Sequence, residues 1–131
     1  MMNTHRFCLI LILVLLTACR SLPVPAGGDN PPVEHIVIVW LKESGNRDIQ
    51  QRVIAKSQVL TSIPGVLSLK SGTAIPSQRP IVDSSFDLAL IITFIDTAAM
   101  KSYLTHPLHL QLLEETLKPL VERIQVYDFS N

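Results

Sequence analysis

Cysteine is nearly absent from this 131-residue chain: Cys8 and Cys19 are its only two, and both lie near the N-terminus. The rest of the chain therefore holds neither a disulfide nor a thiol nucleophile. Aromatic residues make up 5% and charged residues 17%, so aliphatic side chains must build the core. Neither sign of charge is in excess, with eleven basic residues against eleven acidic ones. Nothing supplies the basic surface that nucleic acid demands, and no nucleic-acid partner is expected. Glycine is scarce, at 5 residues. No phosphate-cradling glycine loop, dinucleotide fingerprint or Ser-His-Asp set occurs, and no cofactor is indicated. No metal is expected either. His106 and His109 are close in sequence, but Pro107 breaks the helical face that would aim both at one ion, and no cysteine or nearby carboxylate completes a site.

No apolar run reaches the roughly twenty residues that span a bilayer. Phe7 to Ala18 (FCLILILVLLTA) is shorter, follows a basic start ending in Arg6, and has the length of a signal-peptide apolar region. It ends in Leu16-Thr17-Ala18-Cys19, which resembles the bacterial lipobox. Small residues before the cut let the extended backbone enter a peptidase, and the Cys19 thiolate is the group that takes a diacylglyceryl chain. Residues 1–18 are expected to be removed, leaving Cys19 as a lipid-bearing N-terminus and a membrane attachment. Cys8 and Arg6 leave with the signal, so the mature chain has ten basic and eleven acidic residues. Arg20 stands where lipoprotein sorting in double-membraned bacteria reads aspartate as a retention signal. The expected location is thus the cell envelope, on the periplasmic side of the outer membrane. The prolines and glycines of RSLPVPAGGDNPP read as a tether through residue 32, and a single domain, residues 33–131, follows.

Within the domain, Val33 to Lys42 is β-branched and aromatic and reads as a strand. Asn46 suits the cap of a helix from Arg47 to Ile63, with Ile49, Val53, Leu60 and Ile63 on one stripe and Pro64-Gly65 as its stop. Val66 to Ile75 reads as an edge strand, Pro76 to Ser84 as a loop, and Phe86 to Ile95 as the strongest strand. Asp96 suits the N-cap of a helix from Thr97 to Leu104. Pro107 suits the start of another, with Leu110, Leu113, Leu117 and Leu120 at helical spacing and Pro119 kinking or ending it. Ile124 to Phe129 closes the domain as a strand. This order is that of an α+β, ferredoxin-like fold: a four-stranded antiparallel sheet with helices on one face.

A sheet covered on one face alternates apolar with polar. Here Ile36, Ile38 and Trp40 point one way and Val37, Val39 and Leu41 the other, while Ala89 and Ile91 back onto Phe86, Leu88, Leu90, Ile92 and Phe94. Both faces need cover and the helices serve only one. The expectation is a homodimer whose two sheets close a barrel, with a small apolar molecule as a further candidate occupant.

Glu34-His35-Ile36-Val37, Ile63-Pro64-Gly65-Val66, Phe86-Asp87-Leu88-Ala89-Leu90, Tyr103-Leu104-Thr105-His106-Pro107-Leu108-His109 and Leu117-Lys118-Pro119-Leu120-Val121 follow one another in the order of a known family. Together they resemble the stress-responsive dimeric α/β-barrel (Dabb) family over essentially the whole domain. The resemblance implies a ferredoxin-like protomer whose sheets pair into a barrel. Most bacterial members have no assigned activity. A plant branch contains a polyketide cyclase whose catalytic tyrosine and histidine fall on Tyr103 and His109, with a first-strand histidine at His35. A further histidine of that enzyme corresponds to Leu88.

His109, Tyr103 and His35 are accordingly the candidate catalytic residues. A neutral imidazole removes a proton beside a carbonyl near neutral pH, and a tyrosine hydroxyl hydrogen-bonds the enolate that forms. Trp40, His106, Phe86 and Leu88 are candidate ligand contacts. The competing reading is structural: His106-Pro107 forms a corner, His109 fills space in the core, and Trp40 is core. The expected function is an envelope protein that binds a small apolar molecule or partner in the barrel. The alternative is a cofactor-free cyclase or isomerase.

Overall fold

The structure, a computed structural model, describes residues 30–130. The expected signal segment 1–18, Cys19 and all but the end of the expected tether lie outside the described residues. Four strands form one antiparallel sheet: β1 (Val33–Leu41), β2 (Val66–Thr73), β3 (Leu88–Phe94) and β4 (Val121–Ser130), in the spatial order β2-β3-β1-β4. The two most apolar strands occupy the centre, and β2 lies at an edge as its weak pattern predicts.

Alternation then separates the two faces. Val33, His35, Val39 and Leu41 of β1 are buried, as are Leu88, Leu90, Ile92 and Phe94 of β3. These residues meet helices α1 (Arg47–Ser57), α2 (Thr97–Leu104) and α3 (Pro107–Leu112). Each fully buried leucine or phenylalanine contributes about 2–3 kcal/mol. The opposite face carries Ile36, Ile38, Ala89 and Ile91, with Tyr127 and Phe129 across from Ile36 and Glu34. No element among the described residues covers that face.

Each helix starts as its sequence predicts. The Asn46 side chain accepts from the N–H groups of Asp48 and Ile49, that of Asp96 from Ala99, and Pro107 sits in the first turn of α3. The first helix differs from expectation by stopping at Ser57, after which Gln58–Ser62 forms a 3₁₀ turn. Ser57, Thr61 and Ser62 all turn their hydroxyls back onto nearby carbonyls, which competes with a regular helix. Leu60 and Ile63 are still buried.

The strand limits shift by a few residues. β2 ends at Thr73 and has a bulge at Leu67, while β4 begins at Val121. Phe86 precedes β3, and the side chain of the next residue, Asp87, binds the turn that follows β1. The buried Asp87 carboxylate accepts from Leu41 N at 2.8 Å, Gly45 N at 2.6 Å and Ser44 Oγ at 3.1 Å. Burial alone raises its pKa. The donors of Leu41, Gly45, Ser44 and Gln50 outweigh that and hold it below the ordinary carboxylate value.

The last helix departs most from the expected pattern. Beyond α3, residues Leu113–Leu117 form a π turn, and α4 (Lys118–Leu120) leads directly into β4. Pro119 lacks the N–H that an α-helix would direct at Glu115, and Lys118 N–H reaches Leu113 O, one residue further back than usual. Leu112, Leu113 and Leu117 face the cavity beside the sheet, while Leu110, expected on the stripe, is 47% exposed.

Candidate functional site

Two of the expected catalytic residues flank the turn between α2 and α3. Tyr103 lies in the last turn of α2 and His109 in the first turn of α3, where the corner at His106-Pro107 folds one against the other. Their rings lie 4.4 Å apart, centroid to centroid. His35 enters from the centre of the sheet, its ring 5.9 Å from that of Tyr103 and edge-on to it. Phe94 packs behind Tyr103 at 4.8 Å. All three expected catalytic residues thus meet at one place.

They open into a cavity of about 190 Å³ between the sheet and the helices. Its remaining wall is almost wholly aliphatic, with Leu90 and Ile92 from β3, Leu113 and Leu117 from the π turn, and Ile124 and Val126 from β4. A second hollow of about 210 Å³, rimmed by Lys56, Gln111 and Glu115, holds none of the expected site residues.

Hydrogen bonding fixes which nitrogen of each imidazole is basic. His109 Nδ1 lies 3.1 Å from Leu104 O, and a carbonyl only accepts, so Nδ1 carries the proton. His35 Nδ1 lies 2.6 Å from Asp128 Oδ1 and donates to that carboxylate. In the neutral form of either ring, the lone pair is therefore on Nε2. His106 is the reverse: its Nδ1 accepts from Leu108 N–H at 3.2 Å. It caps α3 and lies outside the cavity wall.

Burial lowers the pKa of His109 below the ordinary histidine value. The bond to Leu104 opposes this and the nearby His35 reinforces it. Burial also pushes the Tyr103 hydroxyl far above the usual tyrosine range. Near neutral pH the pair is thus a neutral imidazole beside a protonated phenol, a base next to a hydrogen-bond donor. Among the described residues no group of three or more histidine, cysteine or acidic side chains is arranged to hold a metal ion.

The expected ligand contacts fall elsewhere. Leu88 is fully buried core packing. Trp40 lies on the opposite face of the sheet, where Phe86 packs edge-on at 6.4 Å, Arg123 stacks 3.4 Å from the ring centroid, and Nε1 donates to Ser85 Oγ. The cavity is therefore on the helix side of the sheet, and not inside the expected barrel. Sequence reasoning missed Asp128. The register that sets it opposite His35 joins residues from the two ends of the domain, and no local pattern encodes that pairing.

A four-stranded antiparallel sheet backed by helices, with the opposite apolar face open, defines a ferredoxin-like protomer of the kind that pairs into a barrel. Residues 33–131 match the Stress responsive A/B Barrel Domain, and the chain belongs to that family, the Dabb family. Solved structures agree. A Dabb family protein with a ferredoxin-like fold from Mesorhizobium loti is 22% identical, with a TM-score of 0.64 over 77% of this chain and 97% of that one. A dimeric ferredoxin-like protein of unknown function from Thermobifida fusca is 18% identical, at 0.63 over 79% and 93%. The hydroxynitrile lyase of Passiflora edulis is 25% identical, at 0.62 over 78% and 94%. No curated protein matches the chain.

Proposed function

We propose that this chain is a lipid-anchored envelope protein whose Dabb domain takes a small, mainly apolar carbonyl compound into the cavity between sheet and helices. The observation that carries this reading is the meeting of His109, Tyr103 and His35 at one end of an otherwise aliphatic cavity of about 190 Å³. An apolar cavity of about 150 Å³ accepts benzene, whereas drug-sized ligands need roughly 300 Å³ or more. The volume thus fits one ring with a short substituent, and the Tyr103 hydroxyl supplies a donor for its carbonyl oxygen. Titration of the 33–131 domain with 4-fluorobenzaldehyde, followed by fluorine NMR, tests this. A saturable shift that disappears in Val37→Phe, which fills the cavity, is expected. A wild-type domain that leaves the signal unchanged refutes it.

A second reading, cofactor-free acid/base catalysis, is favoured by the free Nε2 of His109. The presence of a hydroxynitrile lyase among the similar structures is consistent with chemistry in this fold. His109 Nε2 would take a proton from the carbon next to the carbonyl, Tyr103 would hydrogen-bond the enolate oxygen, and return of the proton would close the cycle. Exchange of the α-protons of phenylacetaldehyde in D₂O measures this step. His109→Ala is expected to slow catalysed exchange at least about 100-fold. Exchange no faster than in buffer leaves binding alone.

A further inference from the structure

The cavity is elongated, and it does not end at its own wall. His35, with Tyr103 beside it, lies in the row of the sheet that pairs with Asp128, whereas Ile124 lies opposite Val39. Four residues of strand separate those rows, about 13 Å. At the Ile124 end the space continues. Leu113, Leu117 and Ile124 also line an outer hollow of about 340 Å³, whose other walls include Glu114, Lys118 and Glu122. The three aliphatic side chains therefore form a neck between cavity and hollow.

Two local irregularities meet at this neck. Leu113 and Leu117 are the first and last residues of the π turn. On the strand side Trp40 pairs with Arg123 and Leu41 with Val121, so Glu122 is the extra residue of a bulge. A bulge re-aims the side chain it carries, and that of Glu122 borders the hollow. Charge then narrows what the hollow accepts. Lys118 is paired with Glu114 at 2.8 Å, and the Arg123 guanidinium stacks on Trp40. Neither cation is free to hold an anion, and the Glu122 carboxylate repels one. The aliphatic neck likewise passes methylene groups and penalises a charge.

We propose that cavity and outer hollow form one binding site for an uncharged carbonyl compound with a long unbranched chain. The carbonyl sits at Tyr103, and the chain runs through the neck formed by Leu113, Leu117 and Ile124. An extended carbon chain advances roughly 1.2 Å per bond, so about eleven bonds reach from the His35 row to the neck. This assignment rests on the reading of the cavity as a carbonyl site and names the class of its ligand.

Calorimetric titration with methyl ketones of increasing length tests it. The buried core lies entirely within residues 33–131, and that domain is used. From 2-hexanone through 2-octanone and 2-decanone to 2-undecanone, affinity is expected to rise about threefold with each added methylene. An affinity that stops rising at 2-octanone overturns the inference. The ketone 10-oxoundecanoate, which carries a carboxylate at the far end of the same chain, should bind at least tenfold more weakly than 2-undecanone. Equal binding overturns the uncharged tail. Glu122→Trp, at an exposed position, fills the hollow. The advantage of 2-undecanone over 2-hexanone should shrink at least tenfold in that variant, and an unchanged ratio means that the chain does not pass the neck. Binding of 4-fluorobenzaldehyde without binding of any ketone removes the long-chain site and keeps the carbonyl reading. Failure of both removes the carbonyl reading itself.

Discussion

Three histidines of one small domain take different roles because each Nδ1 meets a different partner: a carboxylate at His35, an N–H at His106, a carbonyl at His109. For His109 this has a consequence in pH. Its folded pKa is lowered by burial, so between that value and about 6.5 the unfolded chain binds a proton that the folded one refuses. Stability is therefore expected to fall as pH drops below about 6.5, and the dependence should weaken in His109→Gln. Urea titrations at pH 7.5 and 5.5 measure it, and an identical pH dependence in both proteins rejects the assignment. Asp87, with its lowered pKa, contributes stability that is lost as pH falls below the ordinary carboxylate value. Gly65 shows a backbone constraint at the same scale. Its φ is +88°, and a Cβ there would lie 2.5 Å from Ala99 Cβ. Gly65→Ala combines a left-handed backbone with overpacking, and a loss of about 3 kcal/mol is expected by denaturant titration.

At the scale of elements, what the sequence reveals depends on whether the determining interaction is local. Asn46, Asp96 and Pro107 mark helix starts, and the structure places each as a cap or first-turn residue. Asp96→Ala should cost about 1 kcal/mol, because Ala99 N–H loses its acceptor at 2.7 Å, and a thermal melt unchanged from wild type would falsify the cap. The order of elements and the two-sided apolarity of the central strands are legible for the same reason. The π turn is not, although Pro119 stands near it in the chain. A proline near a helix end signals a kink or a stop, and only tertiary packing decides that the helix widens and continues instead. The convergence of Tyr103 and His109 is half legible, since the corner between them is local. Their meeting with His35, the pairing of His35 with Asp128, and the location of the cavity on the helix side all require sheet register. Pro119→Ala restores the missing donor, and the amide of residue 119 should then become protected in hydrogen exchange as Leu117 shifts out of the cavity wall. An amide that still exchanges freely indicates that packing, and not the proline, holds the wide turn.

For the whole molecule, the proposed lipid and the expected dimer act together. No helix among the described residues is long and apolar enough to cross a membrane, and the proposed attachment is the lipid on Cys19. The described chain begins at one end of the sheet, with Pro31 and Pro32 exposed ahead of the buried Val33, which suits a tether leading away from the domain. In a dimer two such tethers rise from one barrel. Once one lipid has inserted, the second acts at high effective concentration, and together they hold far better than either alone. Cys19→Ala should abolish labelling with a radioactive fatty acid and move the protein from the membrane pellet to the soluble fraction. Persistent label would remove the lipobox reading. Sorting gives a sharper test of where the anchored protein resides. Arg20→Asp introduces the residue that marks retention, so a lipidated variant should shift from outer- to inner-membrane density on a sucrose gradient while its acylation stays unchanged. If the variant and the parent co-sediment, the residue after Cys19 does not set the destination, and the proposed outer-membrane location loses its basis.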